Sequence, residues 1–170
     1  MKRSIFLLMF IVSVIFSSKA QEKLKVGEFK NGKLLITEMV TFKGFLMNSL
    51  ENSGTLAKEF QVSVSPEIDR VFVYYPVNGN AKNISSIGIM LVIIGHEAFI
   101  VENPPRTPAT GPGGGGSLEI QCIGVDCNSC VPDIKWVNGN WMPIVYCRCQ
   151  QPGGGQCNMI TKVIFHIEVV

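Results

Sequence analysis

The apolar residues of this chain fall into short runs, and their spacing changes character along it. Residues 26–30 and 33–37 read as two strands around Asn31-Gly32, and Asn-Gly between strand-like runs is a strong hairpin signal. Met39, Phe42, Phe45, Leu46 and Leu50 then follow near-helical spacing, which predicts a helix over 39–50 with Asn52-Ser53-Gly54 as its stop. Residues 60–64 and 71–75 read as strands. Pro76 places the second at a sheet edge or ends it, because proline cannot donate to the ladder. Residues 86–94 form a continuous apolar run, the pattern of a strand buried on both faces. Gly95-His96-Glu97 turns the chain into a further strand over 98–101, and Asn78-Gly79 marks another turn.

The pattern breaks at 103–117, which holds Pro104, Pro105, Pro108 and Pro112 followed by the glycine run 113–116. A stiff proline part and a flexible glycine part suit a linker. A phosphate-binding loop is excluded, since no Lys-Ser/Thr pair follows the glycines. Beyond it, residues 135–142 read as a tight hairpin about Asn138-Gly139. A two-residue turn there pairs Val137 with Asn140 and sets Trp136 against Trp141. Strands over 144–150 and 157–169 flank the turn Gly153-Gly154-Gly155. The expectation is an α+β, strand-dominated protein: a strand-rich α+β domain at 21–102, the Pro/Gly linker at 103–117, and a small disulfide-rich β module at 118–170.

The first 20 residues change how composition is read. Lys2 and Arg3 precede an apolar run over 5–16, and Ser18-Lys19-Ala20 offers small residues at a cleavage site, the three parts of a secretory signal. The apolar run is too short for a spanning helix, which needs about 20 residues. Cleavage is expected after Ala20, giving a periplasmic or extracellular protein without a membrane span. The whole chain is formally +2, with 15 basic and 13 acidic residues. Without Lys2, Arg3 and Lys19, 12 basic residues face 13 acidic ones. The rest of the basic residues form no stripe, so no nucleic-acid partner is expected.

All six cysteines lie in the C-terminal part: Cys122, Cys127, Cys130, Cys147, Cys149 and Cys157. An even number in an exported chain points to a disulfide framework. A glycine-rich segment of this size buries too little apolar surface to offset its ordering entropy, and bridges of about 2–4 kcal/mol each would compensate. Spacing does not give the pairing. On a strand Cys147 and Cys149 share a face, so each should bridge to a different partner. The alternative is zinc: Cys127, Cys130, Cys147 and Cys149 approximate the two knuckles of a zinc ribbon, with one residue missing from the second. A redox-active pair at Cys127-Asn128-Ser129-Cys130 lacks the βαβ context that would support it.

Catalytic patterns are sparse. His96-Glu97 lacks the second histidine of a zinc-protease motif. His166 and Glu168 share a strand face as an acid–base candidate, Glu67 and Asp69 flank a proline turn, and no Gly-x-Ser-x-Gly elbow occurs. Asn83-Ile84-Ser85 matches an N-glycosylation acceptor. Trp136 and Trp141 are the candidates for a recognition surface, with capping of a small core as the plainer role. The function expected is therefore non-catalytic binding of a protein, peptide or carbohydrate, with no cofactor. A zinc-binding protein is the alternative, and a secreted hydrolase the weakest reading.

Overall fold

The computed structural model describes residues 23–67, 69–80, 82–101, 117–138 and 143–164. The predicted signal segment, nearly all of the 103–117 segment, Trp141, His166 and Glu168 lie outside them. The described residues form eleven strands and one helix, so the strand-dominated reading holds.

The first hairpin follows its sequence. β1 (Lys23–Lys30) pairs antiparallel with β2 (Lys33–Ile36), and Lys30 faces Lys33 across Asn31-Gly32. Both turn residues have positive φ, 53° and 73°. That is the twist of a type I′ turn, for which Asn-Gly is suited. The helix, α1 (Met39–Ser49), buries Phe42 and Leu46, with Leu50 buried just past its end, an i, i+4, i+8 stripe along one side.

Two short strands, β3 (Thr55–Leu56) and β4 (Gln61–Val64), share one edge of β5 (Arg70–Asn78). The other edge of β5 pairs with β6 (Ile84–Ile94). β5 does not end at Pro76, and this corrects the sequence expectation. The ladder runs through it, with Pro76 opposite Ser86. The Pro76 carbonyl accepts the Ala57 N–H at 2.9 Å, so its missing N–H faces the β3–β4 side. There the partner strand changes from β4, opposite 71–74, to β3, opposite 77–78. Proline sits at the one break in that edge.

β6 organises the molecule. Its second edge is divided: residues 92–94 pair with β7 (Glu97–Val101), and residues 84–89 pair with β8 (Leu118–Gly124). β7 continues to β1 and β2, and β8 continues to β11 (Cys157–Val163), giving one nine-stranded sheet. A second, two-stranded sheet is the hairpin of β9 (Cys130–Lys135) and β10 (Ile144–Cys149).

Alternation along β5 and β6 divides the core in two. Val71, Val73, Tyr75 and Val77, with Ile87, Ile89 and Leu91, face α1 and its Phe42 and Leu46. Phe72, Tyr74 and Met90 face the opposite way and are covered by Leu118, Ile120 and Val131, with Ile134, Trp136 and Val145 packed alongside. The continuous apolar run over 86–94 is thus explained, since β6 is buried on both faces as its sequence implies.

The segment 118–164 does not stand apart from residues 23–101. β8 hydrogen-bonds directly to β6, and the β9–β10 hairpin covers one face of β5 and β6. The two ends of the intervening proline- and glycine-rich segment are pinned together. Ser117 N–H donates to the Val101 carbonyl at 2.7 Å, and Val101 N–H donates to Ser117 Oγ at 2.9 Å. Val101 and Ser117, which flank the segment, thus lie side by side.

The β9–β10 hairpin also departs from its predicted register. Lys135 pairs with Ile144, where a two-residue Asn138-Gly139 turn would pair it with Met142. The ladder is displaced by two residues, so it does not set up the expected opposition of Trp136 and Trp141. The bridges from Cys147 and Cys149 fix β10 against β8 and its following loop.

Candidate functional site: a disulfide-framed strand

All six cysteines are paired. Cys122 on β8 bonds Cys147 on β10, Cys127 in the β8–β9 loop bonds Cys149 at the end of β10, and Cys130 at the start of β9 bonds Cys157 at the start of β11. In sequence order, first joins fourth, second joins fifth and third joins sixth. Every bridge ties the β9–β10 hairpin to the main sheet or to the loop leaving it. Cys147 and Cys149 do bridge to different partners, as their shared strand face requires. The four cysteines of the zinc alternative each sit in a bridge, so none of them is a thiolate in this structure. Each bridge closes a loop of 22 to 27 residues. Loops of that size restrict the unfolded chain by roughly 3 kcal/mol each.

The bridges also fix which side of β10 meets solvent. Val145, Cys147 and Cys149 turn inward. The alternate residues face out: Ile144 is 52% exposed, Tyr146 50%, and Arg148 is exposed beside Asp133, its Nη1 3.7 Å from the carboxylate. An aliphatic, an aromatic and a guanidinium group thus lie in a row on a strand with one hydrogen-bonded partner strand among the described residues. Sequence reasoning passed over this row; the signal was there, in the alternation of residues 144–149 with two half-cystines on the opposite face.

Trp136 sits against the core, in line with the plainer of its two expected roles. Its ring is half-buried against the Phe72–Met90 side of the core, and its indole N–H donates to Ser63 Oγ at 2.9 Å. It anchors the end of β9 to β4. Its partner in the proposed surface, Trp141, lies outside the described residues.

The catalytic candidates that are described lie in turns and at a strand start. His96 is exposed in the two-residue β6–β7 turn, and its carbonyl accepts the Phe29 N–H at 2.8 Å. Glu97 forms an ion pair with Lys25. Asp69 accepts from Ser65 Oγ at 2.9 Å and from the buried Arg70 at 3.0 Å, closing the β4–β5 turn. Glu67 is exposed in the same turn. His166 and Glu168 fall outside the described residues.

A cleft of about 200 Å³ lies between the β5–β6 turn and the β8–β9 loop, lined by Asn80, Asn83, Ser85, Val125 and Asn128 among others. Its polar lining is amide and hydroxyl beside Val77, Ile84, Val125 and the bridged Cys127, with no titratable side chain among the described residues. Asn83, head of the glycosylation-type triplet, is exposed there with φ 57°, and its carbonyl accepts the Gly124 N–H at 3.0 Å.

A polar cluster around the buried Glu119 joins the end of α1 to β8 and β11. Glu119, 1% exposed, accepts from Ser49 Oγ and from Gln121 Nε2, the latter at 2.9 Å, with Lys162 Nζ 3.8 Å away. Gln121 and Lys162 also donate to the Ser49 carbonyl, at 3.2 and 3.4 Å. These contacts satisfy groups at the helix C-terminus that have no partner within the helix. The cluster is closed on itself and is structural.

The geometry thus defines a three-disulfide β-protein with one rigidly held, outward-facing strand. Compared with protein-family models, curated proteins and solved structures, the chain matches none. Three disulfides are consistent with an exported protein. No helix among the described residues is long and apolar enough to cross a membrane.

Proposed function

We propose that this is an exported, non-catalytic binding protein whose disulfide-framed hairpin presents β10 to a protein, peptide or carbohydrate partner. The observation that carries this reading is the outward row Ile144, Tyr146 and Arg148 on a strand whose two inward cysteines are both bridged. Aromatic and arginine side chains dominate binding energy at interfaces. A surface ordered before contact avoids the entropy of ordering on binding. The signal-like first 20 residues and the oxidised cysteines support export.

A photoreactive phenylalanine analogue placed at position 146, in intact cells that produce the protein, tests the reading. Adducts are expected from position 146 and not from position 35, where Leu35 is exposed on β2. Equal labelling at both positions, or none at 146, overturns the assignment of this face.

A further inference from the structure

Three sulfur atoms from two different bridges lie together beside the β8–β9 loop. The Sγ atoms of Cys127, Cys130 and Cys157 are all within 4.8 Å of one another. Cys130 and Cys157 are bonded to each other, whereas Cys127 is bonded to Cys149. The sulfur of Cys127 therefore sits beside a bridge to which it does not belong. Neither sulfur of the Cys122–Cys147 bridge is part of this group.

In each of the two bridges one cysteine is buried and the other, Cys149 or Cys157, is half-exposed. Cys127 and Cys130 are 3% and 0% exposed. Cys149 is half-exposed at the end of β10, where the chain enters the exposed turn over 152–156, and its Sγ lies 3.3 Å from the Gly154 carbonyl oxygen. Thiol–disulfide exchange is attack of a thiolate on a disulfide sulfur, and access decides which sulfur is attacked.

We propose that external thiols enter these two bridges at a half-exposed sulfur, Cys149 or, by the mirror-image route, Cys157. The buried thiol so released attacks the neighbouring bridge and closes a Cys127–Cys130 bond. For entry at Cys149, an external thiolate bonds to Cys149 Sγ, the Cys127–Cys149 bond breaks, and its electron pair leaves on Cys127. The Cys127 thiolate then bonds to Cys130 Sγ and the Cys130–Cys157 bond breaks. Cys157, the half-exposed member of that pair, leaves as thiolate and takes a proton from water. Only residues 128 and 129 separate the new partners, and both lie outside any strand. The number of disulfides is unchanged to this point. With a dithiol reagent, its second thiol displaces Cys149 from the mixed disulfide. The reagent leaves oxidised and the protein has gained two electrons. It then holds Cys127–Cys130 and Cys122–Cys147, with Cys149 and Cys157 free. This exchange does not depend on what the β10 face binds.

Limited reduction of the native protein with substoichiometric dithiothreitol, trapping with N-ethylmaleimide and peptide mapping test it. The two-thiol species is expected to carry label on Cys149 and Cys157, with Cys127 and Cys130 joined. Labelling of Cys122 and Cys147 should be lower by roughly tenfold or more. Any other labelled pair overturns the proposal, including Cys127 with Cys149 beside an intact Cys130–Cys157 bridge. In a Cys149→Ser variant, label is expected on Cys157 as well as Cys127, and label confined to Cys127 overturns it. Cys147→Ser is the control, expected to label Cys122 alone. If Cys149→Ser fails to fold, judged by near-UV circular dichroism, the map of the native protein decides alone.

Discussion

At the scale of single residues, two positions show how closely the central strands fit. Gly88 sits on β6 opposite Tyr74, where an added Cβ would lie 2.5 Å from the Phe72 ring and 2.8 Å from Tyr74 Cβ. Gly88→Ala is therefore expected to destabilise the fold by about 1–3 kcal/mol, as overpacking of a filled core does. Urea unfolding should show this as a lower midpoint at unchanged slope, and Phe72→Leu in the same chain should recover part of the loss. Tyr75 is the second position. It is buried between Phe42 and Phe60, its Oη donates to Met39 Sδ at 3.6 Å, and burial pushes its phenol up to about 12. An unfolded tyrosine ionises near 10. Between those values the unfolded chain loses a proton that the folded one keeps, so stability falls as pH rises from about 10 toward 12. Tyr74 is shifted in the same direction, first by desolvation. Tyr75→Phe should flatten the alkaline fall without removing it, read from denaturation midpoints at pH 8 to 12. An unchanged alkaline limb would assign it to other groups.

At the scale of elements, what the sequence revealed depended on whether the controlling contact was local. The Asn31-Gly32 hairpin, the 39–50 helix and the twice-buried 86–94 strand were legible because turn chemistry, 3.6-residue spacing and an unbroken apolar run each act within one element. β8 was missed: its alternation sets Leu118, Ile120 and Cys122 against Glu119 and Gln121, and those polar residues are buried only because the end of α1 lies over them. The β9–β10 register was misread because two long-range bridges outweigh a two-residue turn. The candidate site was half legible: the disulfide framework follows from cysteine parity and the signal-like first 20 residues, but the outward row on β10 follows from which cysteines pair. The Glu119 cluster is where one of these non-local contacts can be tested. Glu119→Ala would leave Ser49, Gln121 and Lys162 without their common acceptor, and a buried polar group left unpaired costs about 1–3 kcal/mol. Ser49→Ala, which removes one donor and leaves Gln121 and Lys162 on the carboxylate, should cost less. If amide exchange is followed in both variants, the loss of protection should appear in the last turn of α1 and in β8 and β11 together. Loss confined to the helix would mean that the cluster does not couple them.

At the scale of the whole molecule, the decisive fact is that β5 and β6 are shared. One face of these strands is covered by α1 and the other by the disulfide-framed hairpin, and β8 is hydrogen-bonded along β6. A composition break with prolines, glycines and all the cysteines on its far side reads as a boundary between two folding units. The contacts instead pack both sides together on β5 and β6, with Val101 and Ser117 hydrogen-bonded to each other across the break. These arrangements differ in how the protein unfolds. Two independent units would give two transitions, one sensitive to thiol reductant and one indifferent to it. A shared core gives a single transition, because uncovering Phe72, Tyr74 and Met90 removes support from the strands that carry the α1 side as well. The oxidised protein should unfold in urea with coincident curves from far-UV circular dichroism and tryptophan fluorescence, since the described tryptophan, Trp136, bridges the hairpin to β4. Full reduction should then lower the stability of the entire chain, because three bridges of roughly 3 kcal/mol each are a large part of the 5–15 kcal/mol typical of a domain. Retention of native amide protection in α1, β5 and β6 after complete reduction would show that residues 23–101 stand alone, and that the shared sheet contributes little to their stability.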